Sequence, residues 1–356
     1  MEKVYPLVSV IIPVYNRAGL ISETLDSLTR QTYPNWEAIV VDDGSTDGAY
    51  ELVENIAESE KRIRLFKRDC EPKGAPVCRN IGIEKSKGRY VIFLDSDDLM
   101  KDFCIERRIH FFEKFPDEDF LVFQSVLFEK KTDDRNLFWN VDSEENDLQR
   151  FLRIDALWPI CGPVYKREAL TKVGGFLPGL PFYQDFDLHL RFLLLKPEYR
   201  KFLHLEPDCF IRHHFNNSVS NSIPFTSDPK ILQQRIDFYF YQLEFIKQQH
   251  IKLTKAQIET IWSILFYFCN RYLTEHNNLT RFYTNWRKAG KLLPVSSLKH
   301  NLTLMVPVLT SLQKRSKYFI KLKSLYLSAF KKYIADERMI LNSSLYKISA
   351  AQQHAL

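Results

Sequence analysis

Three carboxylates in four positions, Asp95, Asp97 and Asp98, follow directly on the apolar run Tyr90-Val91-Ile92-Phe93-Leu94. Clustered hard oxygens of this kind suit Mg2+ or Mn2+, ions that keep coordination positions open for substrate phosphates. A second cluster, Asp42-Asp43-Gly44-Ser45-Thr46-Asp47, follows the run Trp36 to Val41 in the same way. A third pair, Asp185 and Asp187, opens a stretch of helical spacing, where the helix dipole favours negative charge. Each acid also has a plainer use, in a turn or as a helix cap.

These acids need elements that end where they begin. Tyr90 to Leu94 is too short for a helix and reads as a buried strand. A sheet interior cannot hold several unpaired carboxylates, so Asp95, Asp97 and Asp98 belong at its carboxyl edge. Leu7 to Asn16 reads as a first buried strand that breaks at Pro13, followed by an amphipathic helix from Leu20 to Thr32. Trp36 to Val41 gives a second strand, Ala49 to Ser59 a helix and Ile63 to Phe66 a third strand. A helix then opens after Gly74. This β-α-β-α-β alternation predicts a parallel sheet, and two strands ending in acids predict one ligand cleft at its edge. Phe120 to Phe128 alternates like an antiparallel strand, and Lys130 to Asp147 reads as an exposed insertion. Beyond Pro224 long helical patterns take over, from Pro229 to His250 and from Lys255 to Thr274.

At 356 residues, with 45% hydrophobic and 14% aromatic side chains, the chain can build a sizeable core. Two units are expected, residues 1–222 and a helical 223–356. The net charge of +6 matters only where it gathers, and basic residues do gather from Arg281 to Lys332. Six cysteines without a CxxC pair read as buried thiols of a reducing compartment. No signal-peptide core opens the sequence and no apolar run reaches the roughly 18 residues of a membrane span, so a cytoplasmic location is expected. The absence of GxGxxG and of GxxxxGK[ST] disfavours a dinucleotide dehydrogenase and a P-loop phosphotransferase.

Five stretches in order carry a resemblance: Val8 to Asn16, Val40 to Asp47, Gly74 with Arg79-Asn80-Ile81-Gly82, Phe93 to Asp98, and Gln184-Asp185. Together they resemble a family 2 glycosyltransferase of the GT-A fold over residues 6–222. That is an α/β fold with a mostly parallel, Rossmann-like central sheet flanked by helices, here with a helical C-terminal extension. The resemblance implies inverting transfer of a sugar from a nucleotide-diphospho-sugar, a UDP-sugar first, to a hydroxyl of a glycan or lipid-linked acceptor, in surface polysaccharide or glycoconjugate synthesis. It places Pro13, Tyr15, Asn16, Asp42, Arg79 and Asp95 on the donor nucleotide. Asp97 is the direct ligand of Mn2+ or Mg2+, with Asp95 and His213 beside it. Asp185 is the general base, with Gln184 on the acceptor side; apart from the resemblance, Tyr183 and Trp158 are aromatic candidates for the acceptor side, with core packing the favoured use of Trp158. Arg212, His213 and Ser218 resemble a loop that closes over the diphosphate. Where the family commonly has Glu-Asp, this chain has Gln184-Asp185.

The chemistry is consistent with the residue types. One base must deprotonate the attacking hydroxyl, while cations neutralise the departing diphosphate. Arg79 can add charge-assisted hydrogen bonds to that diphosphate, Asp42 can accept from a base N–H and Tyr15 can stack on the base. Asp187 competes with Asp185 for the base role and ranks below it, as a residue that steadies its helix. Two other readings use the same cleft: a nucleotidyltransferase, and a non-catalytic sugar-nucleotide-binding scaffold. Between residues 281 and 340, Lys and Arg alternate with Tyr318, Phe319, Leu322, Leu325, Tyr326 and Phe330. That pattern fits either peripheral contact with an anionic membrane or the solvated face of a helical bundle. Charge alone does not make it a nucleic-acid site.

Overall fold

The computed structural model describes residues 5–132, 134, 137–139, 142–180, 182–213, 228–276 and 278–294. The chain divides into two compact units, one of residues 1–144 and 156–217, the other of 145–155 and the helices beyond 218. In the first unit, β1 (Val8–Val14), α1 (Ile21–Thr29), β2 (Trp36–Asp42), α2 (Ala49–Ser59), β3 (Ile63–Lys67), α3 (Ala75–Lys85) and β4 (Tyr90–Phe93) follow the expected alternation. The remaining elements are β5 (Leu99–Met100), α4 (Cys104–Lys114), β6 (Phe120–Phe123), β7 (Ser125–Phe128), β8 (Leu137–Phe138), α5 (Asp147–Leu152, in the second unit), β9 (Pro163–Lys166), α6 (Arg167–Val173), α7 (Gln184–Leu194), β10 (Tyr199–Phe202) and β11 (Cys209–Arg212).

Seven strands form the central sheet in the order β10-β6-β9-β4-β1-β2-β3. All run parallel except β9, which is antiparallel to both β4 and β6. The β1 and β2 residues are wholly buried, which explains their continuous apolar runs. Helix α3 packs against β1 at Gly82, where a Cβ would stand 2.3 Å from Cγ2 of Ile11. A second sheet has the order β5-β11-β7-β8.

Two expectations differ from the structure. Strand β1 does not break at Pro13 but pairs there with Val41. The Ile11 carbonyl accepts from Leu94 N–H on the β4 side, so Pro13, two residues on, faces β4 just past the end of that ladder. Its missing N–H therefore costs no bond. The stretch 120–128 is two strands, not one. β6 pairs with β10 and β9 in the central sheet, and after Gln124 β7 joins the second sheet, parallel to β11 and antiparallel to β8. Strand β8 also lies inside the expected insertion.

In the second unit, α8 (Pro229–Gln248), α9 (Lys255–His276) and α10 (Leu279–Leu292) carry an aromatic core. Trp262 and Trp286 meet at 4.1 Å between ring centroids, and the Tyr239 hydroxyl donates to the Leu152 carbonyl at 2.8 Å. Helix α10 buries Phe282, Trp286 and Ala289 and turns Arg281, Arg287, Lys288 and Lys291 outward. The basic and aromatic residues from Lys299 onward lie outside the described residues.

Candidate active site

Parallel register brings the acids to one edge. Val14 lies opposite Asp42, and Ile11 lies opposite Phe93, so β1, β2 and β4 all run out on the same side. Their loops are tied together there. Asn16 takes a left-handed conformation (φ 51°), which Asn tolerates well. Its Oδ1 accepts from Thr46 N–H at 2.8 Å, its own N–H donates to Ser45 Oγ at 3.0 Å, and Ala18 N–H donates to Asp47 at 2.9 Å. Asp42 is buried and closes its own turn, accepting from Gly44 and Ser45 N–H at 2.9 and 3.1 Å. Pro13 is buried in β1, whereas Tyr15 keeps 44% of its surface open.

The β4 edge meets the start of α7 through one guanidinium. Arg79, on α3, donates to Asp95 Oδ1 at 2.6 Å and to Gln184 Oε1 at 3.0 Å. Asp185 is the next residue, and its Oδ1 accepts from Phe186 N–H at 2.9 Å. Burial pushes the Asp185 carboxyl above the usual carboxylate range and the Asp95 charge adds to this, while Arg79 and the Phe186 N–H oppose it. Asp97 faces Arg17 Nε at 3.4 Å. Asp98 is buried. Desolvation and the neighbouring Asp97 and Asp95 charges hold its carboxyl well above the ordinary range, against the Arg212 N–H that donates to it at 2.9 Å.

The structure thus gathers Asp95, Arg79, Gln184 and Asp185 in one connected group, with Asp97 on the same turn. Asn16 and Asp42 stand at the neighbouring strand ends. Tyr183 immediately precedes α7 in a left-handed conformation (φ 61°). Trp158, a candidate for the acceptor side with core packing as its other reading, lies in the core. It is 1% exposed and packs edge-on to Phe120 and Tyr199, so it has no open face to offer a ligand. His213 follows β11, its N–H donating to the Phe128 carbonyl at 2.7 Å. Ser218 lies outside the described residues.

Arg212 is a clamp in this structure. Its Nε donates to the Asp97 carbonyl at 3.0 Å, its Nη2 to Glu23 of α1 at 2.7 Å, and its guanidinium lies 4.4 Å from the Phe128 ring centre. Asp187 is buried against Arg191 at 2.6 Å, and Arg191 also reaches the Val173 and Gly175 carbonyls, so Asp187 anchors α7.

Sequence reasoning did not find several neighbours. Arg68 donates to Asp43 at 2.5 Å, and Asp43 also accepts from Gly74 N–H, fixing the loop before α3. Lys73 sits 3.4 Å over the Tyr15 ring. The second acid of Asp42-Asp43 was the signal for that loop, but it has no partner at short range in sequence. A groove of about 280 Å³ on α4, lined by Tyr33, Phe103, Glu106, Arg107, His110 and Glu113, includes none of the acidic-edge residues.

Residues 9–174 match the family model described as Glycosyl transferase family 2. An uncharacterized glycosyltransferase of Haemophilus influenzae is 42% identical over 106 residues, covering 30% of this chain and 42% of that protein. The putative teichuronic acid biosynthesis glycosyltransferase TuaG of Bacillus subtilis is 43% identical over 106 residues, with the same coverage. The chain thus spans less than half the length of these curated relatives. Among solved structures, TarS 1-349 of S. aureus in complex with UDP-GlcNAc is similar in fold, with a TM-score of 0.59 and 17% identity over 92% of both chains. Through residues 9–174 the chain is similar to glycosyltransferase family 2, and its α/β unit has the GT-A fold.

Proposed function

We propose that the chain transfers a sugar, with inversion, from a nucleotide-diphospho-sugar to an acceptor hydroxyl in the synthesis of a surface polysaccharide. The observation that carries this reading is the Asp95–Arg79–Gln184 bridge, which holds the acids after β4 against the helix that begins with Asp185. Asp185 takes the proton of the attacking hydroxyl. Its raised pKa strengthens it as a base, while the Arg79 charge favours its ionised form. Arg79 donates to the departing diphosphate. Tyr15, Asn16 and Asp42 receive the nucleoside at the ends of β1 and β2.

Asp97 and Asp95 fit a divalent cation. Both are carboxylates at an open strand end, with side chains 16% and 39% exposed. Arg17 Nε lies 3.4 Å from Asp97 Oδ2, and Arg79 reaches one oxygen of Asp95. Mn2+ or Mg2+ bound there would neutralise charge on the leaving group. His213, which continues the strand beyond Arg212, is the third candidate for that site. A UDP-sugar is the first donor to try, because TarS was solved with UDP-GlcNAc. A polysaccharide acceptor is suggested by the TuaG name. Residues 1–222 would form the catalytic part and 223–356 a helical part whose basic residues rest on an anionic membrane at its cytoplasmic face. Among the described residues no helix is long and apolar enough to cross a membrane.

The test is a thermal-shift screen of UDP- and GDP-sugars with and without Mn2+, followed by NMR of the product anomer. A ligand that binds only the native state raises the melting temperature according to its concentration and affinity. A Mn2+-dependent shift that disappears in Asp97→Asn and a product of inverted configuration are expected. A shift that is identical without metal, or a retained anomer, would refute the mechanism.

A further inference from the structure

We infer that Gln184 is a positioning residue for the transfer, an amide wired at both ends that fixes Arg79 and the start of α7 in one geometry. The inference rests on the reading of Asp185 as the base. Arg79 can only donate and the Leu180 carbonyl can only accept, so the orientation of the Gln184 amide is dictated by its partners. Its Oε1 accepts from Arg79 Nη1 at 3.0 Å, and its Nε2 donates to the Leu180 carbonyl at 3.1 Å. One end therefore reaches across to α3 and the other back into the loop leading to its own helix.

That loop needs holding. Tyr183 has φ 61°, a conformation that costs a non-glycine residue and persists only when its surroundings enforce it. Its upstream end is pinned by Asn80, which donates to the Phe176 carbonyl and accepts from Phe176 N–H, both at 2.8 Å. Two adjacent residues of α3, Arg79 and Asn80, thus grip both ends of the segment 176–184. Once Gln184 is fixed, Asp185 is fixed with it. The amide is also neutral, so it accepts from Arg79 without cancelling its charge. Among the described residues, Arg79 has an ion pair with Asp95 alone. The guanidinium stays cationic toward the leaving group while its direction is set by an uncharged partner.

The experiment uses the full chain with Mn2+ and the nucleotide-sugar that gives the largest shift in the screen above. Q184M removes both hydrogen bonds at similar volume, Q184E keeps an acceptor for Arg79, and R79K replaces the two-pronged donor by a point charge. Steady-state kinetics and hydrogen exchange over residues 177–188 are measured together. Because small misplacements of reacting groups are costly, Q184M should lower kcat about tenfold, with donor KM changed less than about threefold and faster exchange at 180–186. Q184E should recover part of that kcat, because it keeps the acceptor for Arg79 but loses the bond to Leu180 and adds a charge beside the guanidinium, and R79K combined with Q184M should cost little more than R79K alone. Wild-type kcat in Q184M, no rescue by Q184E, or an effect confined to donor KM would overturn the inference. D185N runs alongside. If D185N turns over at the wild-type rate, the base assignment fails. If D185N is inactive while Q184M is normal, only the role of Gln184 fails.

Discussion

Two arginine–carboxylate assemblies in the α/β unit use the same chemistry for opposite ends. At the sheet edge, Arg79 meets Asp95, whose side chain keeps 39% of its surface, and Arg17 lies 3.4 Å from Asp97, whose side chain keeps 16%. Inside the core, Arg108 holds Asp208 through two bonds of 3.0 and 2.6 Å, with both side chains fully buried. Arg108 also donates to the Cys161 carbonyl at 2.9 Å and to Cys209 Sγ at 3.3 Å. Hydrogen bonds from the Cys104 and Cys161 thiols, and the Arg108 charge, pull the Cys209 thiol well below its usual range. Among the described residues it is Cys104, Asp208 and Cys209, not the exposed acids, whose ligand atoms lie within 4.8 Å of one another. A donor set of that kind suggests a metal, yet its positive charge is already supplied by Arg108. The contrast shows that residue types nominate a site, whereas exposure and the charge already supplied by neighbours decide whether a cation has a place to bind.

Four measurements sharpen or break that contrast. The largest effect belongs to the edge. Asp185→Asn should cost about two to four decades of turnover, the usual value of a positioned base, with the melting temperature unchanged. In the wild type, turnover should fall as pH drops through the raised Asp185 pKa, because the base works only when ionised. Activity flat through that range would remove Asp185 from the mechanism. Next comes the core. Asp208→Ala strands a buried guanidinium and should cost about 3–5 kcal/mol in chemical denaturation; a cost near zero would mean that the pair is solvated and the contrast false.

A smaller effect concerns His189, buried against the Tyr165 hydroxyl at 2.7 Å, with burial pushing its pKa down to about 3. The unfolded chain then binds the proton more readily, so the contribution is full above the unfolded value near 6.5 and is lost on acidification. By pH 5 that loss is about 2 kcal/mol, and His189→Gln should flatten this part of the pH–stability curve. Equal slopes in both proteins would mean that His189 is reached by water. The smallest effect is at the surface. Arg30 and Asp102 approach to 3.3 Å but are more than half exposed, so Arg30→Ala should change stability by less than about 0.5 kcal/mol.

Most of the sheet edge was legible in the sequence. The order of strands and helices through Leu94 follows from apolar runs ending in acids, because β1, β2 and β4 are buried on both faces and signal without ambiguity. The arrival of Asp42 and Asp95 at strand ends on one side of the sheet follows from parallel register. Other features were not legible because they depend on partners far apart in the chain. The split of 120–128 between two sheets is decided by which strands return beside it, β10 and β9 for one half, β11 and β8 for the other. Trp158 has the composition of a binding aromatic and the environment of a core residue, and only packing separates the two. Arg212 looked like a phosphate-loop cation, yet its side chain is committed to Glu23 and the Asp97 carbonyl.

That commitment bears on where the chain can be cut. The family match stops at residue 174, before α7 begins and before Arg212 reaches back to the acid turn. A fragment trimmed to the matched stretch would retain Asp95 and Asp97 but lose the peg that seats their turn on α1. During synthesis, too, the acid turn after β4 stays unfinished until the chain has grown more than a hundred residues past it.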